Sequence, residues 1–203
     1  MRLMRTSEIT KRPVVTLAGE DIAQIKDVIY AAGGGTVGGF TLAGRGIFAG
    51  PLKDALAWSS VSALGADAVM VRDAQALRPA KEVLAASRAS GGSGADVLGS
   101  QVLSDAGVDL GVVRDVIVSV TERPTRAGGA EATGHCDVVG YEIEASQALG
   151  TQGEKVLIPL PDTISASGEH LMVPASAKDF VGRDLAGFGA AVDAFRAQLG
   201  GAS

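Results

Sequence analysis

The sequence predicts a mainly β protein made of two tandem small β-barrels, with a short linker between them and a helix at the C-terminal end. Three observations predict this class: an internal repeat, short β-rich runs bounded by turn residues, and a glycine content of 28 in 203 residues. That content is about twice the usual share and indicates many tight turns or close backbone approaches. We predict a first barrel at 1–75, a linker at 76–94, a second barrel at 95–176, and an amphipathic helix and tail at 177–203.

The repeat is visible without gaps over sixteen residues. Residues 14–29 and 102–117 are identical at seven of sixteen positions, whereas random pairing would give about one identity. The offset between these two blocks is 88 residues. Two shorter blocks continue the match at larger offsets, 37–42 over 138–143 at 101 and 61–65 over 164–168 at 103. The second copy therefore carries an insertion of thirteen residues, and we expect two copies of one unit.

Each copy reads as a series of short strands. In the first copy, runs rich in β-branched or aromatic residues are separated by glycine-containing turns, and we predict strands at 13–16, 23–30, 36–42, 55–58, 61–64 and 68–72. So few short strands cannot build two full sheets, but they can curl into one barrel that removes its own edges.

Three segments outside the strands have their own composition. Residues 76–89 favour a helix after Pro79 and lead into a Ser/Gly-rich stretch, which predicts a flexible linker. The insertion at 121–134 lacks anchoring apolar residues and is predicted to be a mobile loop. Apolar residues between 177 and 199 recur at helical spacing, which predicts the C-terminal amphipathic helix.

The two copies share the pattern V-x-(T/S)-x-x-G-x-D-(I/L)-(A/G)-x-(I/V)-(K/R)-D-V-I, followed by V-x-G-(F/Y)-x-(L/I); the first copy then continues with VSALGADAVMV. This pattern resembles the PRC-barrel domain family, over about 6–73 and about 95–174. The resemblance implies six-stranded β-barrels that act as adaptors and not as catalysts. It also implies kinship with the photosynthetic reaction centre H subunit, and with the carboxyl-terminal barrel of the ribosome maturation factor that binds a small-subunit ribosomal protein.

One loop carries candidate docking residues. Ile47, Phe48 and Leu52 lie in a glycine-rich stretch, 44–52, that lacks the Gly-Lys-Ser/Thr ending of a phosphate-binding loop. Exposed, these three side chains would form a docking patch for a partner. The alternative is that they close one end of the barrel.

A basic and an acidic residue recur at matching positions of the two copies, as Lys26-Asp27 and Arg114-Asp115. We interpret them as structural ion pairs, in which the carboxylate accepts backbone hydrogen bonds and the basic stem covers apolar surface. The alternative is a binding or proton-handling pair.

We predict no catalytic, cofactor-binding or metal-binding residues. His135, Cys136 and Asp137 are consecutive, so on a strand they alternate between faces and cannot surround one metal ion. The sequence also shows no histidine at recognisable spacing from a Ser or Cys nucleophile. Trp58 is interpreted as barrel core and not as a ligand platform.

Charge and cysteine content limit the partners and the compartment. Residues 1–80 hold nine Lys or Arg against seven Asp or Glu, while residues 81–203 hold nine against sixteen. This acidic balance argues against direct binding of nucleic acid. A single cysteine, an N-terminal stretch without an apolar signal region, and no span suited to a bilayer predict a cytoplasmic protein without a transmembrane segment.

The leading hypothesis is a non-catalytic cytoplasmic adaptor that binds a protein partner through barrel surfaces. Its two barrels would pack as an intrachain pseudo-dimer, and a homo-oligomer is compatible with this arrangement. One alternative is a ribosome- or RNA-associated assembly factor. A further alternative is a small-molecule or metal sensor that uses the cleft between the barrels.

Overall fold

The computed structural model describes residues 2–31, 35–45, 50–89, 97–121, 134–161, 165–167 and 170–200. This part of the chain is mainly β and forms two seven-stranded sheets with a helix at its C-terminal end. The predicted fold class is therefore confirmed, and the two sheets are consistent with two barrel-like domains.

The chain begins with β1 (Arg2–Arg5) and a helical turn, α1 (Thr6–Ile9). Seven strands then form the first sheet: β2 (Pro13–Thr16), β3 (Asp21–Tyr30), β4 (Val37–Ala43), β5 (Pro51–Ala57), β6 (Val61–Leu64), β7 (Val69–Val71) and β8 (Leu77–Pro79). Their hydrogen-bonded order is β6-β7-β2-β3-β4-β5-β8. All six predicted strands are present, and β5 begins four residues before its predicted start at residue 55.

The second sheet contains β9 (Gln101–Ser104), β10 (Asp109–Val120), β11 (Cys136–Ala145), β12 (Lys155–Pro159), β13 (Ser165–Ser167) and β14 (His170–Val173). Their order is β12-β11-β10-β9-β14-β13, and β1 completes the sheet by pairing antiparallel with β10. Strand β10 accommodates both neighbours because β9 pairs with its first part, up to Val112, and β1 with its last four residues. The first strand of the chain thus belongs to the second sheet, although the predicted boundary placed it in the first barrel.

The two sheets have the same pairing scheme. Strands β2 and β9 each pair antiparallel with the long strand that follows them and parallel with β7 and β14, respectively. Each long strand also has an irregularity of register at the same repeat position, between Ile25 and Asp27 in β3 and between Val113 and Asp115 in β10. The extra residue of each β-bulge is Lys26 or Arg114. The offset of 88 therefore relates equivalent backbone positions of β3 and β10, and the offset of 101 relates those of β4 and β11.

The third block of the repeat has a different offset from the one predicted. Ala63 pairs with Met70 in the first sheet, and Ser165 pairs with Met172 in the second. Both pairs are related by an offset of 102 and not 103. A one-residue error of this kind is easy to make in a block of small residues, yet it would move every side chain to the opposite face of the strand.

A helix covers the outer side of the first sheet. Helix α2 (Ala80–Ala89) packs its buried Val83 against Ile29 of β3 and Ala55 of β5. Two parts of the predicted linker, strand β8 and helix α2, are therefore packed structure. Residues 90–94 of that linker lie outside the described residues, as does most of the predicted mobile loop at 121–134.

A longer helix covers the second sheet at the equivalent place. Helix α3 (Leu185–Gly200) packs Phe188 and Val192 against Ile117, Val139 and Leu157. It begins at residue 185 and not at 177, because the Asp184 carboxylate accepts a hydrogen bond from the Gly187 amide at 3.0 Å and caps the first turn. Residues 175–180 form a 3₁₀ helix instead.

Close packing of α3 requires a glycine on β11. A Cβ atom added to Gly140 would lie 2.5 Å from the Phe188 ring and 2.6 Å from the Ile158 carbonyl oxygen. A side chain at this position would therefore displace the helix or the neighbouring strand.

We call the first sheet with α2 the first half, and the second sheet with α3 the second half. The two halves share one hydrophobic core, to which both sheets contribute. Trp58 lies in this core with its ring edge toward Phe40, at a centroid distance of 6.1 Å, as the sequence predicts. Its indole Nε1 donates to the Gly134 carbonyl oxygen of the second half at 2.8 Å. The Val138 amide in turn donates to the Gly35 carbonyl oxygen at 2.9 Å, so main-chain hydrogen bonds also join the halves.

Candidate functional site: the cleft between the halves

The bulge of β3 places two charged side chains at the surface. Lys26 Nζ lies 3.5 Å from Asp27 Oδ2, and both side chains are about half exposed or more. The Asp27 amide donates to Thr41 Oγ1 at 3.1 Å, which joins the bulge to β4. The contact between Lys26 and Asp27 is a solvent-exposed ion pair, a type that contributes little to stability.

The bulge of β10 has different partners. The Asp115 carboxylate is buried and accepts hydrogen bonds from Thr6 Oγ1 at 2.9 Å, from the Ser7 amide at 3.2 Å, and from Ser7 Oγ. It also accepts from the Val116 amide at 2.8 Å. Arg114 turns away and pairs with Glu144 of β11 at 2.8 Å. Arg114 and Asp115 therefore interact with separate groups.

Three of the four predicted repeat-equivalent residues line one cavity between the halves. Asp27, Arg114 and Asp115 face a space of about 480 Å³. The hydroxyl residues of the α1 segment, Thr6 and Ser7, form another side of this cleft. Residues of both bulges therefore border the same cleft.

A buried carboxylate beside β1, that of Glu142, lies between two cations. Glu142 accepts a hydrogen bond from Arg5 Nε at 2.6 Å, and Lys155 Nζ lies 3.1 Å away. Burial alone raises the pKa of Glu142, but the two cations outweigh burial and hold its pKa below the ordinary value. The same pairing raises the pKa of Arg5, again against the effect of its own desolvation.

The described groups offer little reactive chemistry. Burial, with a smaller contribution from Asp137, raises the pKa of the Cys136 thiol to about 12, so the thiolate nucleophile is not formed near neutral pH. Burial likewise raises the pKa of Tyr141 to about 12. His135 is exposed, and in the described ranges no three His, Cys, Asp or Glu residues are grouped to hold a metal ion.

The predicted docking loop is only partly visible. Ile47 and Phe48 lie outside the described residues. Leu52 is exposed at the start of β5, with 37% of its surface accessible. The structure therefore places one of the three predicted residues, and this one is at the surface.

Sequence reasoning missed a second group of apolar side chains, which we call the outer patch. It consists of Val15 and Met70, directly paired on the parallel strands β2 and β7, and of Leu17, which is 58% exposed. The second half has an equivalent pair, Leu103 and Met172. Two sequence signals could have revealed it: the alternation in β2, where Val14 and Thr16 are buried, and the methionines matched at offset 102.

Comparison with protein families assigns the first half. Residues 1–78 match the PRC-barrel domain. This segment of the chain is a PRC-barrel domain. The PRC-barrel match runs from β1 into β8, so it includes the strand that pairs with the second sheet. A comparison with curated proteins found no match. In the part of the chain that the structure describes, no helix has the length and apolar character to cross a membrane.

Proposed function

We propose that the protein is a non-catalytic cytoplasmic adaptor that binds a protein partner through the surfaces of its barrels. The observation that carries this proposal is the PRC-barrel domain at residues 1–78, since such domains are small β-barrel modules often involved in protein interactions. The cleft supports it, because the buried Asp115 is fully engaged by the α1 segment and the exposed charges pair with one another.

We infer further that residues 95–176 are a second copy of the domain, so that the protein presents two related surfaces. The shared strand order, the bulges at matching positions and the parallel pairing of β9 with β14 support this inference. A duplicated module is well suited to presenting binding surfaces, and among the described residues no group of His, Cys, Asp or Glu could hold a metal ion.

Two surfaces are candidates for the docking site. The outer patch is the stronger one, because Leu17 is largely exposed and directly follows β2, whose Val15 is paired with Met70. The second is the loop predicted from the sequence, of which Leu52 is the described member and Ile47 and Phe48 are the others. Exposed apolar groups of this kind lose their contact with water when a partner covers them.

The experiment is a quantitative pull-down with the tagged full chain from its own cells. We expect the Leu17→Ser/Met70→Gln double variant to reduce capture of specific partners by about tenfold, since losing two buried apolar contacts costs about 1.4 kcal/mol or more. Leu52→Ser tests the loop, and Lys53→Ser is the matched control at a neighbouring exposed position. Circular dichroism verifies that each variant is folded.

Capture of no specific partner by the wild-type chain would contradict the adaptor function. Capture that is equally strong with every variant would instead contradict the two proposed surfaces. Sedimentation of the cell extract through sucrose tests the alternative of a ribosome-associated factor. Co-migration with a ribosomal subunit would favour that alternative, and absence from all subunit fractions would remove it.

A further inference from the structure

The first residues of the chain form an arm, residues 2–9, that binds mainly to the second half. All four residues of β1 are paired with residues 117–120 of β10. Arg5 binds Glu142, and Thr6 and Ser7 bind Asp115. Ile9 at the end of the arm is fully buried in the shared core. The strand pairing of the arm and the carboxylates that it binds thus lie more than 100 positions away in the sequence, whereas its contacts with the first half are fewer, from Arg2 to the Leu64 carbonyl oxygen and from the Tyr30 hydroxyl to Thr6.

A single tight turn connects this arm to the first sheet. The Arg12 amide donates to the Ile9 carbonyl oxygen at 3.2 Å, and Thr10 has φ −59° and ψ 146°. Lys11 follows with φ 70°. These values describe a type II turn, whose third position favours glycine because a side chain in the left-handed region is strained. Lys11 is the one non-glycine residue with positive φ in the described chain.

We propose that the arm exchanges between two copies of the chain and forms a strand-swapped dimer with residues 10–12 as its hinge. In the dimer the arm of one copy pairs with β10 of the other and keeps the contacts that it makes with β10, Glu142 and Asp115 in the monomer. The hinge opens into extended chain, which removes the strain at Lys11. Short strained hinges favour exchange for this reason. Each cleft would then receive its Thr6 and Ser7 from the other copy.

Two substitutions at the hinge should act in opposite directions. Lys11→Gly relieves the strain of the turn, so we expect the dissociation constant of the dimer to rise about tenfold or more. Lys11→Pro is incompatible with φ 70° and removes the amide that donates to the Ile25 carbonyl oxygen at 2.8 Å. It should therefore favour the dimer. Light scattering after size-exclusion chromatography, over a range of protein concentrations, measures both.

A cross-link identifies the exchanged element independently of the hinge variants. Leu3 and Ser119 are directly paired across β1 and β10, at a separation suited to a disulfide. One chain carries Leu3→Cys and a second chain carries Ser119→Cys, both with Cys136→Ser. After equimolar mixing, unfolding and refolding, oxidation can join these cysteines only between chains. We expect a band of twice the chain mass on a non-reducing denaturing gel.

A control mixture with Ser119→Cys replaced by Lys53→Cys, on β5, which does not pair with β1, should give no such band. The proposal is overturned if the first mixture gives no more cross-linking than this control. It is also overturned if the folded wild type and Lys11→Gly are equally monomeric at all concentrations. Should Lys11→Pro fail to fold, the cross-link and Lys11→Gly still decide the question.

Discussion

Asp27 and Asp115 occupy the same position of the repeat but have opposite environments. The Asp27 side chain is 65% exposed, whereas Asp115 is buried under the N-terminal arm and accepts four hydrogen bonds. Both copies have the bulge, but the N-terminal arm covers only Asp115. Of the two carboxylates, Asp115 is therefore the buried one. Sequence identity between copies therefore indicates equal backbone geometry and not equal function.

The helices that cover the two sheets show a second difference. On the first sheet, α2 lies so close that a Cβ atom on Gly38 would collide with Ser87. On the second sheet, the residue equivalent to Gly38 is the buried Val139, and α3 packs Phe188 in this region. At this position the helix packs on the sheet through small residues in the first half and through large ones in the second. The two halves therefore share close packing but not residue type.

The largest effect is expected where the large residues pack. Phe188→Ala should lower the free energy of unfolding by about 4 kcal/mol, because it removes a fully buried ring and leaves a cavity. Val83→Ala in α2 should cost about 2 kcal/mol, since fewer buried atoms are lost. Urea denaturation measures both. Equal losses would show that the two helices stabilise their sheets alike.

The two aspartates provide the next comparison. Asp115→Ala should cost about 3 kcal/mol, since it leaves the hydroxyl and amide donors of Thr6 and Ser7 without their acceptor. Asp27→Ala should change stability by about 0.5 kcal/mol or less, because its ion pair is exposed. The same denaturation experiment applies, and a large loss for Asp27→Ala would invalidate the comparison.

The pH dependence of stability at Glu142 provides a further comparison of the two halves. Its repeat equivalent is Thr41, so only the second half has an acid at this position. Because the pKa of Glu142 in the folded state lies below its ordinary value of 4.5, its stabilisation is present above that pH and is lost as pH falls through the folded pKa. Glu142→Gln should cost about 1 kcal/mol at pH 7 and less at pH 3, as measured by urea denaturation at both pH values. An equal cost at the two pH values would contradict this assignment.

A further effect is expected at the hydrogen bond between the halves. Trp58→Phe keeps most of the buried ring but loses the bond to the Gly134 carbonyl oxygen, and should cost about 1 kcal/mol. Circular dichroism is the appropriate measurement, because Trp58 is the only tryptophan of the chain. Phe40→Leu, which alters the ring contact without touching this bond, is the control. No measurable loss for Trp58→Phe would show that the bond does not stabilise the junction.

Much of the fold could be predicted because it is encoded locally. Runs of β-branched residues predicted the strands of the first sheet, and the repeat predicted their counterparts. Strand β8 was missed because it is three residues long and ends in Pro79, which suits only an edge. Strand β1 was not predicted, because no local pattern in Arg-Leu-Met-Arg specifies a partner as distant in sequence as β10.

The candidate site was predictable only in part for a related reason. The repeat identified Asp27, Arg114 and Asp115, and the structure brings them to one cleft. Their partners were not predictable, because Glu144 and the hydroxyls of the arm approach only in the folded chain. The outer patch was missed because a half-buried Val15 or Met70 has no distinguishing feature without knowledge of its neighbours.

The pairing of residue 3 with residue 119 also determines when the arm can reach its place during synthesis. At a synthesis rate of roughly 5–20 residues per second, β1 exists for on the order of ten seconds before β10 does. Strand β1 is thus synthesised well before its partner, and the buried Ile9 remains without its neighbours in the second sheet until that sheet has been translated.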